Sequence, residues 1–412
     1  MKFFVLTVTT FLLALSSVFC QESLVSEKKV HSHVAYLASD KLQGRCTGTP
    51  AELKAAKYIA KQFQKIGLTP KGNDGSYFHK FSFKKSSDPH GGVDPNAKQV
   101  FSQNVVAYLD NGAANTIVIG AHYDHLGLGY DHNSLDANPE GKIHNGADDN
   151  ASGTAAVIEM ARYFAKNSVK EQHNFLFICF SGEELGLYGS KKYTESPTID
   201  LSKVSFMINM DMIGRLNAEK KLLVGGVGTA PDFVPTLKGL KTELSLKLDS
   251  AGVGPSDHTS FYLKNIPVLF FFTGQHSDYH KPSDDVDKIN FGGEIQVINA
   301  VAEVVQTLDK QSKLKFQETK SSEANTPSFK VTLGIMPDYT WEGEGLHVDG
   351  VTDGKPASKA GLLKGDIIIG LGEVTVKNIQ DYMKGLSMFK KGDTTNVKVK
   401  RGKEEKTMSV TF

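Results

Sequence analysis

Net charge is nearly absent from this chain: 47 basic residues face 46 acidic ones, which leaves +1 at neutral pH. Nothing in that balance argues for a nucleic-acid partner or for a charged membrane surface. Long apolar runs are missing beyond the first twenty residues, so stable insertion in a membrane is not expected. Cysteine is rare, with three in 412 residues. Cys179 lies inside the apolar stretch Phe175–Phe180 and reads as a buried hydrophobe. Nothing argues for a disulfide between it and Cys46, although the sequence leaves one open.

What is present is the composition of a soluble globular protein, with 40% hydrophobic and 23% charged residues. The length predicts two domains. At the N-terminus, Lys2 precedes the apolar run Phe3 to Phe19, and the polar Gln21-Glu22-Ser23 follows. That pattern predicts a secretory signal peptide over 1–20, cleaved before Gln21, and a secreted or periplasmic protein. The rival is a lipoprotein anchored through Cys20. Bulky Phe19 makes a poor lipidation signal, so this is the lesser alternative.

Further on, Ala51 to Ile66 carries apolar residues at helical spacing and stops at Gly67. Residues 71–100 read as surface loop and short edge strands. Apolar strands are expected over Thr116–Ala121, Asn174–Phe180, Val204–Met210 and Ile266–Phe272. They alternate with helices over Thr154–Ala165, Glu184–Thr194 and Ile289–Leu308. The fold class is therefore α/β, with a mixed, mostly parallel sheet and helices on both faces. Ligand sites in such sheets lie beyond the carboxyl ends of the strands.

Those ends are where the chemistry collects. The four strands run into His122-Tyr123-Asp124, Ser181-Gly182-Glu183-Glu184, Asn209-Met210-Asp211 and, after a short loop, Tyr279-His280. Between the first strand and its helix lies the acidic, glycine-flanked stretch Asn145–Gly153. Carboxylates packed this closely repel one another unless a cation neutralises them. Each motif alone also has a structural reading: a capping histidine, an acidic pair at a helix N-terminus, a turn. Their convergence on one edge of one sheet is what points to a site. Two histidines and three carboxylates suit two zinc ions that share a bridging carboxylate, with another carboxylate left off the metal as general base. Asp124, two residues after His122, suits holding that imidazole's other N–H.

His122-Tyr123-Asp124, Gly146–Gly153, Ser181–Gly186, Asn209–Met212 and Tyr279-His280 together resemble the secreted co-catalytic di-zinc aminopeptidases. Their superfamily also includes glutamate-carboxypeptidase-like enzymes and glutaminyl cyclases. The resemblance runs from about Ser26 to Leu308, in order, with no protease-associated insertion, and makes 21–309 the peptidase domain, with the zinc-exopeptidase (phosphorylase/hydrolase-like) fold. It implies two Zn2+ per chain: His122 and Asp211 on one, Glu184 and His280 on the other, and Asp149 bridging. It further implies Glu183 as general base, Asp124 as the partner of His122, and Tyr279 at a position where some members stabilise the oxyanion. Peptides would be the substrates. Ser256-Asp257-His258 resembles a loop near the family's substrate pocket, but a structural turn is the preferred reading. A carboxypeptidase on the same scaffold would need a cation, for which Arg215 is the one arginine near a motif. A cyclase would need only one zinc. A peptide-binding protein without activity would have no reason to keep Glu183.

Residues 310–328 are polar and read as a linker. From Phe329 to Phe412, Leu333-Gly334-Ile335-Met336, Gly361–Ile368 and Val397–Arg401 resemble the carboxylate-binding loop, sharp turn and closing strand of a PDZ domain. The resemblance implies binding of peptide C-termini by strand addition. A domain that merely stabilises or orients the enzyme is the equal alternative.

Overall fold

The computed structural model describes residues 25–85, 98–131, 133–319, 331–337, 341, 343–351, 354–377 and 379–412. The leader expected over 1–20 lies outside them. Among the described residues no helix is long and apolar enough to cross a membrane.

The N-terminal unit begins with α1 (Glu27–Leu37) and α2 (Pro50–Ile66). Thr49 caps α2 by accepting from Glu52 N at 3.2 Å, while Glu52 Oε2 accepts from Gly48 N at 2.8 Å. Pro50 sets the first turn, and Gly67, at φ 95°, ends the helix. Then come β1 (Thr69–Pro70), β2 (Phe78–Lys85), β3 (Lys98–Leu109) and β4 (Thr116–His122). α3 (Gly153–Lys166), β5 (Asn174–Phe180), α4 (Tyr188–Glu195), β6 (Val204–Met210) and β7 (Lys221–Gly225) follow. The unit closes with α5 (Phe233–Lys238), β8 (Ser245–Leu248), α6 (His258–Tyr262), β9 (Val268–Phe272) and α7 (Phe291–Asp309).

The sheet runs β1-β3-β5-β4-β6-β9-β7-β8, and β2 pairs outside β3. Its centre is parallel: β4 pairs β5 and β6, and β6 pairs β9. On the flanks β3 joins β5 and β7 joins β9 antiparallel, while β7 and β8 pair in parallel. One face is covered by α1, α2, α3 and α7, and the other by α4 and α6, whose Tyr193, Phe261 and Tyr262 are buried. Every residue of β4, β5 and β6 is buried, as their unbroken apolar runs require.

The structure differs from the sequence reading in several places. β2 and β3 form a long antiparallel ladder where loop and short edge strands were expected. His79, Phe81 and Phe83 alternate onto a buried face, a period-two signal short enough to be masked by the polar residues around it. The helix expected from Glu184 starts only at Tyr188, because Gly186 and Leu187 take positive φ and hold Glu183 and Glu184 in a turn instead. The fourth strand starts after Pro267 rather than at Ile266.

The stretch read as linker is described as far as Thr319 and lies against the first unit. Leu314 and Phe316 join its core clusters, and Gln317 N donates to Thr229 O at 2.8 Å. The C-terminal unit holds β10 (Ile335–Pro337), β11 (Leu346–Val351), α8 (Pro356–Ala360), β12 (Ile367–Leu371), β13 (Val374–Thr375), α9 (Ile379–Ser387), β14 (Thr394–Arg401) and β15 (Glu404–Thr411). Its sheet runs β10-β11-β12-β14-β15 around its own apolar cluster.

Candidate active site

The parallel strands deliver their C-terminal residues to one edge. His122 is the last residue of β4 and pairs with Phe180 of β5, so the turn after Phe180 carries Glu183 and Glu184 beside it. β6 ends at Met210, and Asp211 follows. The loop before α3 supplies Asp149, and the segment after β9 supplies Tyr279 and His280.

Asp149 lies between the two histidines. Its Oδ1 is 3.3 Å from His122 Nε2, and its Oδ2 is 3.2 Å from His280 Nε2. His122 Nε2 is also 3.3 Å from Asp211 Oδ1, and His280 Nε2 is 3.1 Å from Glu184 Oε2. Potential ligand atoms fall into two groups, one of His122, Glu183 and Asp211 and one of His125, Asp149 and Glu184. All five expected ligands and Glu183 are thus brought together. Asp124 sits behind them: its Oδ2 accepts from Thr47 Oγ1 at 2.7 Å and its Oδ1 from Glu183 N at 3.2 Å. His122 Nδ1 lies 3.7 Å from that carboxylate and 3.3 Å from the Asp124 carbonyl oxygen. Tyr279 stacks on His280 with ring centroids 3.9 Å apart and packs against Met212, Phe270 and Phe272.

The loop that carries Asp149 is held from below by main-chain contacts. Asp284 accepts from Asp148 N at 3.1 Å and from Asp149 N at 3.0 Å. Asn150 donates to Met210 O at 3.0 Å and accepts from Gly153 N and Met212 N. Arg45, fully buried, donates to the carbonyls of Leu37, Tyr123, Asn145 and Gly146. Gly146 adopts φ 58°, and a Cβ there would fall 2.2 Å from Asp149 O and 2.5 Å from the His125 ring. Asp148 faces away from the cluster and serves the scaffold: its Oδ1 accepts from Gly214 N at 2.6 Å, and its Oδ2 lies 3.1 Å from His276 Nε2.

Four carboxylates, those of Asp149, Glu183, Glu184 and Asp211, thus share a site in which none has a side chain more than 12% exposed. Among the described residues no lysine or arginine pairs with any of them. Burial pushes Glu183 well above the usual carboxylate range, with His122 only partly opposing it. Burial acts on Asp149 in the same sense, but the surrounding imidazoles outweigh it and hold Asp149 well below that range. Buried carboxylates at this density, with imidazoles but no lysine or arginine beside them among the described residues, call for a cation. Imidazole nitrogens and carboxylate oxygens without thiolate are a donor set that zinc accepts. The residues present therefore fit zinc.

Residues 104–305 match the model for peptidase family M28, and residues 310–412 that for the PDZ domain. The chain carries a family M28 peptidase domain followed by a PDZ domain. A probable leucine aminopeptidase of Trichophyton verrucosum (strain HKI 0517) is 27% identical over 265 residues, which cover 61% of this chain and 63% of that protein. The chain thus spans less than two thirds of that relative's length. A zinc aminopeptidase from Bacillus subtilis superposes with a TM-score of 0.55 at 19% identity, covering 73% of this chain and all of that one. Porphyromonas gingivalis glutaminyl cyclase does so with a TM-score of 0.55 at 16% identity, covering 69% and 99%. At those identities the two structures bear on fold alone.

Two further residues of the M28 domain reach the cluster without having been singled out for it. His125 Nδ1 lies 2.7 Å from Glu184 Oε1. The signal was its place three residues after His122, just past the strand end. Ser256 Oγ donates to Asp211 Oδ2 at 2.7 Å. The preferred reading of Ser256-Asp257-His258 as a mere turn is thus incomplete: the segment does lead into α6, but it also touches an expected ligand. Arg215, the cation a carboxypeptidase would need, is engaged by Asp278 at 3.1 Å.

Proposed function

We propose that this chain is an exported zinc aminopeptidase that removes N-terminal residues from peptides. The observation that carries the reading is Asp149, whose two carboxylate oxygens each face a different histidine across one buried acidic cluster. His122 and Asp211 would hold one zinc, His280 and Glu184 the other, with Asp149 between them. When bound, the pair would lower the pKa of water and polarise the scissile carbonyl.

The remaining work falls to the protein. His280 Nδ1 donates to Asn133 O at 2.8 Å, which turns Nε2 toward Asp149 and Glu184. His125 fixes Glu184 from the opposite side. Glu183 takes a proton from the attacking water and returns it to the departing amine. The backbone N–H of Glu183 bonds to Asp124, so the base and the residue behind His122 are held in one unit. The Tyr279 side chain lines a cavity together with His122, Asp149, Glu183 and Asp211 and would donate to the developing oxyanion. Met212, Phe270 and Phe272 form an apolar cluster beside the carboxylates and suit an apolar N-terminal side chain. The free amine, a cation, is received by the carboxylate-rich end. The leucine aminopeptidase relatives support this choice, and the Arg215–Asp278 pair counts against a carboxypeptidase. In the PDZ domain, β10 stands at one end of the sheet order and would take a peptide C-terminus by strand addition.

The test is a panel of aminoacyl chromogenic amides with matched N-blocked versions, run with and without chelator and with Glu183→Ala. Cleavage of free-amine substrates only, lost with chelator and in the variant, is the expected result. No cleavage by folded, zinc-loaded protein would sink the reading.

A further inference from the structure

One cavity of about 420 Å³ is lined at one end by His122, Asp149, Glu183, Asp211 and His280. The same cavity is lined by Trp341, Gly345, Leu346 and Lys377, which belong to the PDZ domain. The peptidase contributes Lys247 and Leu248 from β8 as well. From β4 to β8 the cavity crosses the row β4-β6-β9-β7-β8. At about 4.8 Å between neighbours, that row is roughly 19 Å across. An extended peptide advances roughly 3.4 Å per residue. If its N-terminal residue sits at the carboxylates, the far wall meets roughly its sixth or seventh residue.

The lining carries Lys247 and Lys377, but also two exposed apolar side chains. Trp341 is 39% exposed, and so is Leu248. Both are among the few large hydrophobic side chains that the described residues leave exposed, and they line one cavity. The indole is also fixed: it stacks on His347 of β11, with centroids 4.8 Å apart and planes 18° from parallel. A rigid aromatic face loses little entropy on contact.

We propose that the PDZ domain forms a wall of the peptidase's substrate cleft, and that Trp341 selects peptides with an apolar side chain about five or six residues beyond the N-terminal one. This rests on the aminopeptidase reading, whose substrate class it narrows. It assigns the C-terminal domain a direct part in choosing substrates at the active site, separate from any peptide held on β10.

Trp341 is the sole tryptophan in the chain, so its fluorescence reports on this wall alone. The full chain carrying Glu183→Ala and loaded with zinc is titrated with Leu-Gly-Gly-Gly-Gly-Phe-Gly, Leu-Gly-Gly-Gly-Gly-Ser-Gly and leucinamide, with calorimetry in parallel. The phenylalanine peptide should shift the emission saturably and bind at least five-fold more tightly than the serine peptide, while leucinamide leaves the emission alone. Equal affinity for the two peptides, unchanged emission at saturation, or no binding of the phenylalanine peptide overturns the proposal. In the active enzyme, Trp341→Ala should lower kcat/KM for the phenylalanine peptide at least five-fold relative to Leu-Gly-Gly, through KM, and Trp341→Phe should recover most of it. An unchanged ratio also overturns the proposal. Failure of the wild-type protein to hydrolyse any of these peptides overturns the aminopeptidase reading instead, and the emission titration still judges the wall.

Discussion

Ser256 Oγ donates to Asp211 Oδ2 at 2.7 Å while accepting from Asn209 Nδ2 at 2.8 Å. The serine thereby fixes the rotation of a carboxylate whose other oxygen faces His122. Ser256→Ala should weaken zinc binding by roughly 10–100-fold, as loss of such an orienting partner does elsewhere. Competition with a calibrated chelator measures it. Undiminished affinity would reduce the serine to a turn residue.

His280 and His125 flank Glu184 from two sides but are not equivalent. His280 Nε2 is 3.1–3.2 Å from both Glu184 and Asp149, whereas His125 is 2.7 Å from Glu184 and 3.8 Å from Asp149. His280→Ala should abolish the second equivalent in a zinc titration. His125→Ala should keep it with weakened affinity. The reverse order would exchange the two roles.

Removing metal should cost stability as well as activity. Without a cation the clustered carboxylates of Asp149, Glu183, Glu184 and Asp211 face one another in a buried site. Apo protein should melt several degrees below the zinc-loaded form, and re-addition of zinc should restore the difference. Identical melting curves would show that the fold does not feel the ion.

Glu52, which is not among the expected ligands, supplies a pH signature. Burial pushes its carboxyl up to about 7, although Ser102, Ser181 and Gly48 N donate to it. The native state keeps this proton up to about pH 7, while the unfolded chain releases it near the ordinary value of 4.5. Its contribution is therefore complete at acid pH and lost as pH rises through that window, by roughly 3 kcal/mol. Unfolding of Glu52→Gln followed by denaturant from pH 5 to 8 should show the variant gaining on the wild type as pH rises. Parallel curves would contradict the raised value.

Arg45 crosses the floor of the site. Its guanidinium reaches four main-chain carbonyls, two of them at Asn145 and Gly146 at the base of the Asp149 loop. Lysine has neither the fork nor the donor count to replace it. Arg45→Lys should destabilise the protein by about 3 kcal/mol and weaken zinc binding with it. A neutral substitution would mean that water satisfies those carbonyls.

Much of this was legible in the sequence for one reason: in a parallel sheet, local pattern and site position coincide. An unbroken apolar run such as Asn174–Phe180 announces a buried strand, and whatever follows it lands at the carboxyl edge. His122, Glu183, Asp211 and the Asp149 loop could be read as neighbours on that basis alone. The same rule located the open Glu183-Glu184 turn while placing the start of α4 four residues early, because positive φ at Gly186 and Leu187 leaves no trace in hydrophobic spacing.

The sequence by itself determined the fold class, the two domains' motifs and the sheet edge where His122, Glu183, Asp211 and the Asp149 loop collect, since each follows from periodicity or from a short motif. Only the tertiary structure decided what stands behind and across from that set. Arg45 and Asn145 are 100 residues apart, Asp284 and Asp148 are 136 apart, and Ser256 and Asp211 are 45 apart. Trp341 lies in a different domain from the carboxylates with which it lines a cavity. Contacts of that kind arise when packed layers bring distant segments together, and no local pattern in the chain encodes them.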